Sequence, residues 1–100
     1  MAHKRDLQLA NLVRKHLGEY CLHDQEMKEI IICDVVMRDK KCAEIIYTPA
    51  KESIDYDNLV VLQKKLEKIS PKIRHYVAKN TVLKYTPTIV FTPTLTPQDL

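Results

Sequence analysis

The clearest candidate for chemistry in this 100-residue sequence is a run of cations between positions 64 and 84. The run holds seven lysine and arginine residues against the single acid Glu67, whereas positions 1 to 50 hold eight basic and eight acidic residues. The formal net charge of the chain is only +3, so its basic character is local. Such clustering is typical of a phosphate-binding surface, although a lysine-rich helix is often only a solvated face. Both interpretations stay open on composition alone.

The residues that could support catalysis or hold a metal do not form a convincing set. Asp55 and Asp57 are spaced as a carboxylate pair, but a helix cap at either position is the more economical interpretation. Cys21, Cys33 and Cys42 are odd in number and include no Cys-x-x-Cys pair, so we expect reduced, buried thiols rather than disulfides or a zinc site. We therefore expect a protein that is not an enzyme and that has no metal and no cofactor.

Length and composition favour one folded domain. With 45% hydrophobic and 29% charged residues, the chain can build a single core. No apolar run approaches the roughly 20 residues that span a bilayer, and the charged N-terminus lacks the apolar stretch of a signal peptide. We expect a cytoplasmic monomer with no membrane partner and no small-molecule substrate.

Hydrophobic periodicity predicts a helix followed by a β-hairpin in the first half of the chain. The helix spans 6–22, with Asp6 as its N-cap. The β-branched run 29–37 is too short for an amphipathic helix and predicts a buried strand. A polar turn at 38–41 then leads to a second, antiparallel strand over 42–48.

The first predicted strand needs an irregularity, because its apolar residues change phase in the middle. Ile30 and Ile32 lie on one face of a regular strand, while Val35 and Met37 lie on the other. A β-bulge near residues 33 and 34 would turn all four toward one core, and we predict such a bulge.

The second half of the chain predicts a helical crossover and a last strand. An apolar stripe crosses Ser70-Pro71, and proline lacks the N–H that a helix interior needs, so we predict two helices, about 57–69 and 71–79, joined by a sharp kink. The segment 88–92, entered through Pro87, predicts a strand. The order α-β-β-α-kink-α-β then fits an α+β domain with a three-stranded mixed sheet and its helices on one face.

Four segments of the sequence form a recognisable pattern: Asp34-Val35-Val36-Met37, Asp39-Lys40-Lys41-Cys42-Ala43, Lys72-Ile73-Arg74 and Leu83-Lys84-Tyr85-Thr86-Pro87-Thr88-Ile89-Val90-Phe91. Together they resemble the ribosome-binding factor A family of KH-like domains, and the last segment is the most specific. The likeness covers roughly residues 5 to 92. The sequence departs from the family at the kink, where Ile69-Ser70-Pro71 stands in place of Ala-x-Gly, in a shorter hairpin turn, and in lacking a long basic tail.

The resemblance implies a type II KH-like domain over residues 1–92 and a flexible C-terminal tail over 93–100. It implies binding to the small (30S) ribosomal subunit in support of late maturation and processing of 16S rRNA, by binding rather than bond chemistry. It also implies RNA contact around the kink and beyond, at Arg5, Lys68, Ser70, Lys72, Arg74, His75, Lys79 and Lys84. A helix start at Ser70 would add free backbone N–H groups for a phosphate.

The kind of recognition and a rival function also follow from the residues. Tyr76 and Tyr85 are more typical of core or rim positions than of stacking platforms, so recognition of shape and phosphate is favoured over base readout. The alternative function is a small ligand-sensing or protein-interaction domain that dimerises through a sheet face containing Ile46 and Val90.

Overall fold

The computed structural model describes four stretches of the chain, residues 4–39, 41–50, 56–81 and 86–94. Within them, the side chains of residues 4–6 and 26 are outside the description. The first element, α1, is a helix over Lys4–His23, followed by a short 3₁₀ helix over Gln25–Glu29. Because α1 begins at Lys4, Asp6 lies inside the helix, and its predicted role as the N-cap is wrong.

The hairpin consists of β1, Ile30–Asp39, and β2, Cys42–Pro49, and it contains the predicted bulge. Ile32 lies opposite Tyr47 and Asp34 lies opposite Ile46, so Cys33 is the extra residue on β1. Ile30 and Val35, on either side of this residue, are both buried in the core. The change of phase in the sequence is therefore resolved as predicted.

The same bulge overturns the prediction that all three cysteines are buried. Cys33, the unpaired residue, is exposed, while Cys21 and Cys42 are half-buried. The backbone at the bulge is held by Asp34, whose Oδ1 accepts a hydrogen bond from the Val35 N–H at 2.8 Å. An extra residue in one strand has no cross-strand partner, so it does not follow the alternation that buries Ile30 and Val35.

The crossover is one helix, α2, over Tyr56–Asn80, with Pro71 in its interior, so the prediction of two helices is wrong. The apolar stripe continues past the proline, and Ile69, Ile73 and Val77 are all buried. An interior proline costs about 3 kcal/mol, whereas burying one aliphatic side chain stabilises by about 1.5–3 kcal/mol. Packing of three such residues against one core therefore outweighs the local cost. Asp57 lies inside the first turn of α2 and so is not its N-cap. Asp55, the other predicted cap, lies outside the described residues.

The last strand, β3, spans Thr88–Pro93 and pairs with β2 in parallel, which gives the sheet order β1-β2-β3. The inward-facing residues of the sheet and the apolar stripes of α1 and α2 form one buried cluster. Tyr47 and Phe91 pack edge to face inside it, with ring centroids 6.0 Å apart. The predicted α+β class, with a mixed three-stranded sheet covered by helices on one face, is confirmed. Of the predicted tail, the part after Thr94 lies outside the described residues.

Candidate nucleic-acid interface

A line of basic side chains runs along the exposed face of α2. We name it the basic ridge and define it by five exposed residues spaced three or four apart: Lys64, Lys68, Lys72, His75 and Lys79. At 100° per residue these positions fall within one narrow sector of the helix, well away from the buried stripe. From the first to the last, the ridge is about 22 Å long at 1.5 Å per residue.

The ridge cations have no carboxylate partner among the described residues. The nearby Lys65 differs, because its Nζ lies 3.7 Å from Glu29 Oε1. Glu67 is in α2 but falls outside the sector of the ridge. Side chains without an internal partner keep their charge available to an external anion, and four of the five are lysines with long, flexible stems.

The structure separates the sequence-predicted site residues into three groups. Lys68, Lys72, His75 and Lys79 are brought together on the ridge. Arg74 and Ser70 lie on another side of α2. Arg5 belongs to α1 with its side chain outside the description, and Lys84 lies outside the described residues altogether.

Arg74 and Ser70 make internal hydrogen bonds. The Arg74 guanidinium donates from Nε and Nη2 to the carbonyl oxygen of Thr86, at 3.3 and 3.2 Å, next to the start of β3. The Ser70 hydroxyl donates to the Leu66 carbonyl one turn earlier, at 3.1 Å. Because α2 passes through Ser70 without a break, the free N–H groups expected from a helix start there are not formed. The predicted phosphate site at a helix N-terminus is therefore wrong.

Lys64 is the ridge residue that the sequence-based site omitted. It is exposed and precedes Lys68 by four residues, the spacing that joins Lys68 to Lys72. The four-residue spacing was visible in the sequence, but a break predicted at Ser70-Pro71 divided the segment into two helices. A single helical phase across positions 64–79 would have included it.

The junction of α1 and α2 lies beside the ridge and contains a polar cluster. His16 is buried, and its Nδ1 lies 3.3 Å from Glu19 Oε2. Tyr76 of α2 donates from its hydroxyl to the same Glu19 oxygen at 3.1 Å, and its ring meets that of Tyr20 edge to face at 5.8 Å. These contacts fix the rotation of α2 against α1, which keeps the basic ridge turned toward solvent. Neither His16 nor Glu19 was singled out from the sequence.

The pKa values of the cluster follow from these contacts. Desolvation raises the pKa of Glu19, but hydrogen bonds from His16 and Tyr76, together with Coulombic attraction to His16 and Lys15, outweigh it and leave the pKa below its ordinary value. Desolvation raises the pKa of Tyr76, and the Glu19 carboxylate raises it further. Both shifts favour an ionised Glu19 that accepts a hydrogen bond from a neutral Tyr76.

The sheet face turned away from the helices is a second exposed surface, which we name the open face. It carries the aliphatic side chains Ile31, Val36, Ile46 and Val90, of which Ile31 is 54% and Val36 is 40% exposed. Glu44 also lies on this face, where its carboxylate pairs with Arg38 at 3.3 Å and accepts a hydrogen bond from the Thr92 hydroxyl at 3.0 Å. Both aromatic residues of the described strands, Tyr47 and Phe91, point to the helices instead.

Other kinds of site find little support in the parts of the chain that the structure describes. There, no group of three or more His, Cys, Asp or Glu side chains could hold a metal ion. Among these same residues no helix is long and apolar enough to cross a membrane.

Solved structures of other proteins share the fold. A solution NMR structure of a Thermotoga maritima protein, described as a candidate ribosome-binding factor A, matches with a TM-score of 0.60 and 19% identity over 87% of this chain and 80% of that one. The crystal structure of ribosome-binding factor A from Thermus thermophilus matches with a TM-score of 0.58 and 13% identity, over 88% of this chain and 90% of that one. These likenesses establish a shared fold and agree with the sequence resemblance. Comparisons with protein-family models and with curated protein sequences give no match.

Proposed function

We propose, on the premise that this chain has the fold of solved ribosome-binding factor A structures, that it is a ribosome-binding factor. In this proposal it binds the small ribosomal subunit and supports late maturation and processing of 16S rRNA, as a cytoplasmic monomer. The observation that carries the proposal is the basic ridge, a set of exposed cations that the described fold leaves without internal partners. A fold shared with ribosome-binding factor A structures and a cationic surface without internal partners together favour an rRNA partner.

The mechanism is one of binding. Each lysine that meets a phosphate releases condensed counterions, so several contacts give affinity that falls steeply with salt. Such contacts position a protein on RNA and carry no sequence information of their own. The factor would act by occupying rRNA during maturation and leaving afterwards, with no bond made or broken.

Co-sedimentation with purified small and large ribosomal subunits tests the proposal. The ridge variant, Lys72→Gln with Lys79→Gln, removes two cations that have no partner in the described structure. The control variant, Arg38→Gln with Lys41→Gln, removes the same charge from the hairpin, where Arg38 lies on the open face. Wild type and the control variant should pellet with small subunits, and the ridge variant should pellet much less.

Two results would contradict the proposal. If the wild-type protein does not pellet with small subunits at low salt, the proposed function is wrong. Equal pelleting of the ridge and control variants would leave ribosome binding possible but would exclude the ridge as its surface.

A second candidate function has its own observation, the exposed aliphatic residues of the open face. Ile31 and Val36 are large apolar side chains left in solvent, as is typical of protein interaction surfaces. In this alternative the domain dimerises through the sheet. Sedimentation equilibrium distinguishes the two: a dimer that Val36→Asp converts to monomer, without affinity for small subunits, would support the alternative, and a wild-type monomer would exclude it.

A further inference from the structure

The two surfaces that the described residues offer to RNA contain almost no ring on which a base could stack. The open face is aliphatic, and the ridge has His75 as its one ring. Tyr47 and Phe91 pack together in the core, and Tyr20 and Tyr76 pack together at the helix junction. Tyr56 is 78% exposed, but it opens α2 about 12 Å before Lys64 and outside the sector of the ridge.

This distribution bears on the form of RNA that the ridge can hold. Proteins that bind single strands combine a basic groove with aromatic platforms, and each stacked base raises affinity by about 5- to 150-fold. Proteins that bind duplex RNA need no platform, because they contact phosphates and sugar hydroxyls by shape. A ridge of lysines with a single imidazole can therefore supply the phosphate contacts that bind a duplex. It supplies almost none of the aromatic platforms on which the bases of a single strand stack.

The shape of the ridge favours the same partner. Its basic side chains project at intervals of three or four residues from one continuous helix, in a row about 22 Å long whose rotation is fixed at the α1–α2 junction. A duplex presents phosphates in a regular, rigid array, whereas a flexible single strand must lose conformational entropy to lie along a fixed row of side chains. Because both the helix and the duplex are rigid, binding costs mainly the conformational entropy of the lysine side chains.

We infer that the basic ridge binds the phosphate backbone of duplex RNA rather than single-stranded RNA. The inference rests on the proposed function, since it names the form of rRNA that this surface takes. It also excludes base-specific recognition by the ridge, because phosphate contacts are alike for every sequence.

Fluorescence anisotropy with a 20-base-pair RNA duplex and with an unstructured oligouridine of equal strand length tests the inference. If the four ridge lysines each neutralise a phosphate, counterion release alone favours the duplex by about fivefold at 0.15 M salt, falling to about twofold for the ridge variant. The control variant should keep the wild-type preference. Stacking of even one base would cancel or reverse this order.

Each outcome decides one question. Oligouridine binding as tightly as the duplex, or more tightly, would overturn the inference, as would a duplex preference that the ridge and control variants share. Pelleting with small subunits through the ridge together with a preference for oligouridine would overturn the inference alone. Duplex binding without pelleting would instead overturn the proposed function and leave the inference standing.

Discussion

The ridge variant, Lys72→Gln with Lys79→Gln, should make binding to small subunits much less sensitive to salt. Both lysines are exposed, and neither pairs with a carboxylate among the described residues, so their replacement removes external contacts and leaves the core intact. The number of phosphate contacts is therefore the quantity that changes. Arg74, which donates to the Thr86 carbonyl, should contribute much less to the same slope.

The expected magnitude follows from the number of ridge lysines. Four contacts give a slope of about −3.6 for the logarithm of affinity against the logarithm of salt concentration, which is a loss of about 150-fold between 50 and 200 mM salt. Two contacts give a slope of about −1.8 and a loss of only about 12-fold over the same range. The loss of affinity between 50 and 200 mM salt should therefore be about tenfold larger for wild type than for the ridge variant.

The assay is a titration of labelled protein with small subunits at four or more salt concentrations, with thermal unfolding as a check on folding. The control variant carries the same net charge as the ridge variant and should keep the wild-type slope. If the two variants give the same slope, the ridge does not set the salt dependence of binding, and the reasoning is refuted.

Four further changes test the fold and the junction. Gly18→Ala should stabilise the protein by about 0.5–1 kcal/mol in urea titrations, because this helical glycine has no positive φ and an added Cβ meets nothing within 4 Å; destabilisation would show that the position is crowded. Pro71→Ala should stabilise by about 2–3 kcal/mol, since the gain of an N–H in α2 exceeds the entropy returned to the unfolded chain; no change in the urea midpoint would contradict this. Ile45→Ala, at a fully buried position, should destabilise by about 2–5 kcal/mol, and a loss under 1 kcal/mol would mean that the core collapses around the cavity. Finally, the stability that ionised Glu19 contributes is present above its ordinary pKa of 4.5 and is lost as pH falls through its lowered pKa in the folded state. Glu19→Gln should therefore be less stable than wild type at pH 7, and the difference should shrink as the pH falls below 4.5, whereas a pH-independent difference would argue against the shift.

The site was predictable only in part, and Arg74 and Lys64 show why. Both are basic residues of the same segment, and composition treats them alike. Both are exposed, and which of them lies on the ridge depends on the helical phase, which is unbroken only if α2 continues through Pro71. Sequence reasoning assumed a break there, and so it included Arg74 and Ser70 and omitted Lys64.

The sequence by itself determined the elements that local spacing controls. The apolar residues of β1 change phase once, and only one extra residue can place both halves in a single core, so the bulge at Cys33 followed from the pattern. The ridge residues, including His75, recur at three and four residues, so any continuous helix must align them. Both features are short-range consequences of backbone geometry.

The tertiary structure decided the features that depend on competition between local cost and long-range packing. Pro71 disfavours a helix locally, but Ile69, Ile73 and Val77 are held in one core by residues distant in sequence, and the sum of their burial exceeds the cost of one proline. The meeting of Glu19 with Tyr76, 57 positions apart, likewise exists only once α1 and α2 pack. A local sequence pattern does not predict these features, because the residues that stabilise them come together only in the folded protein.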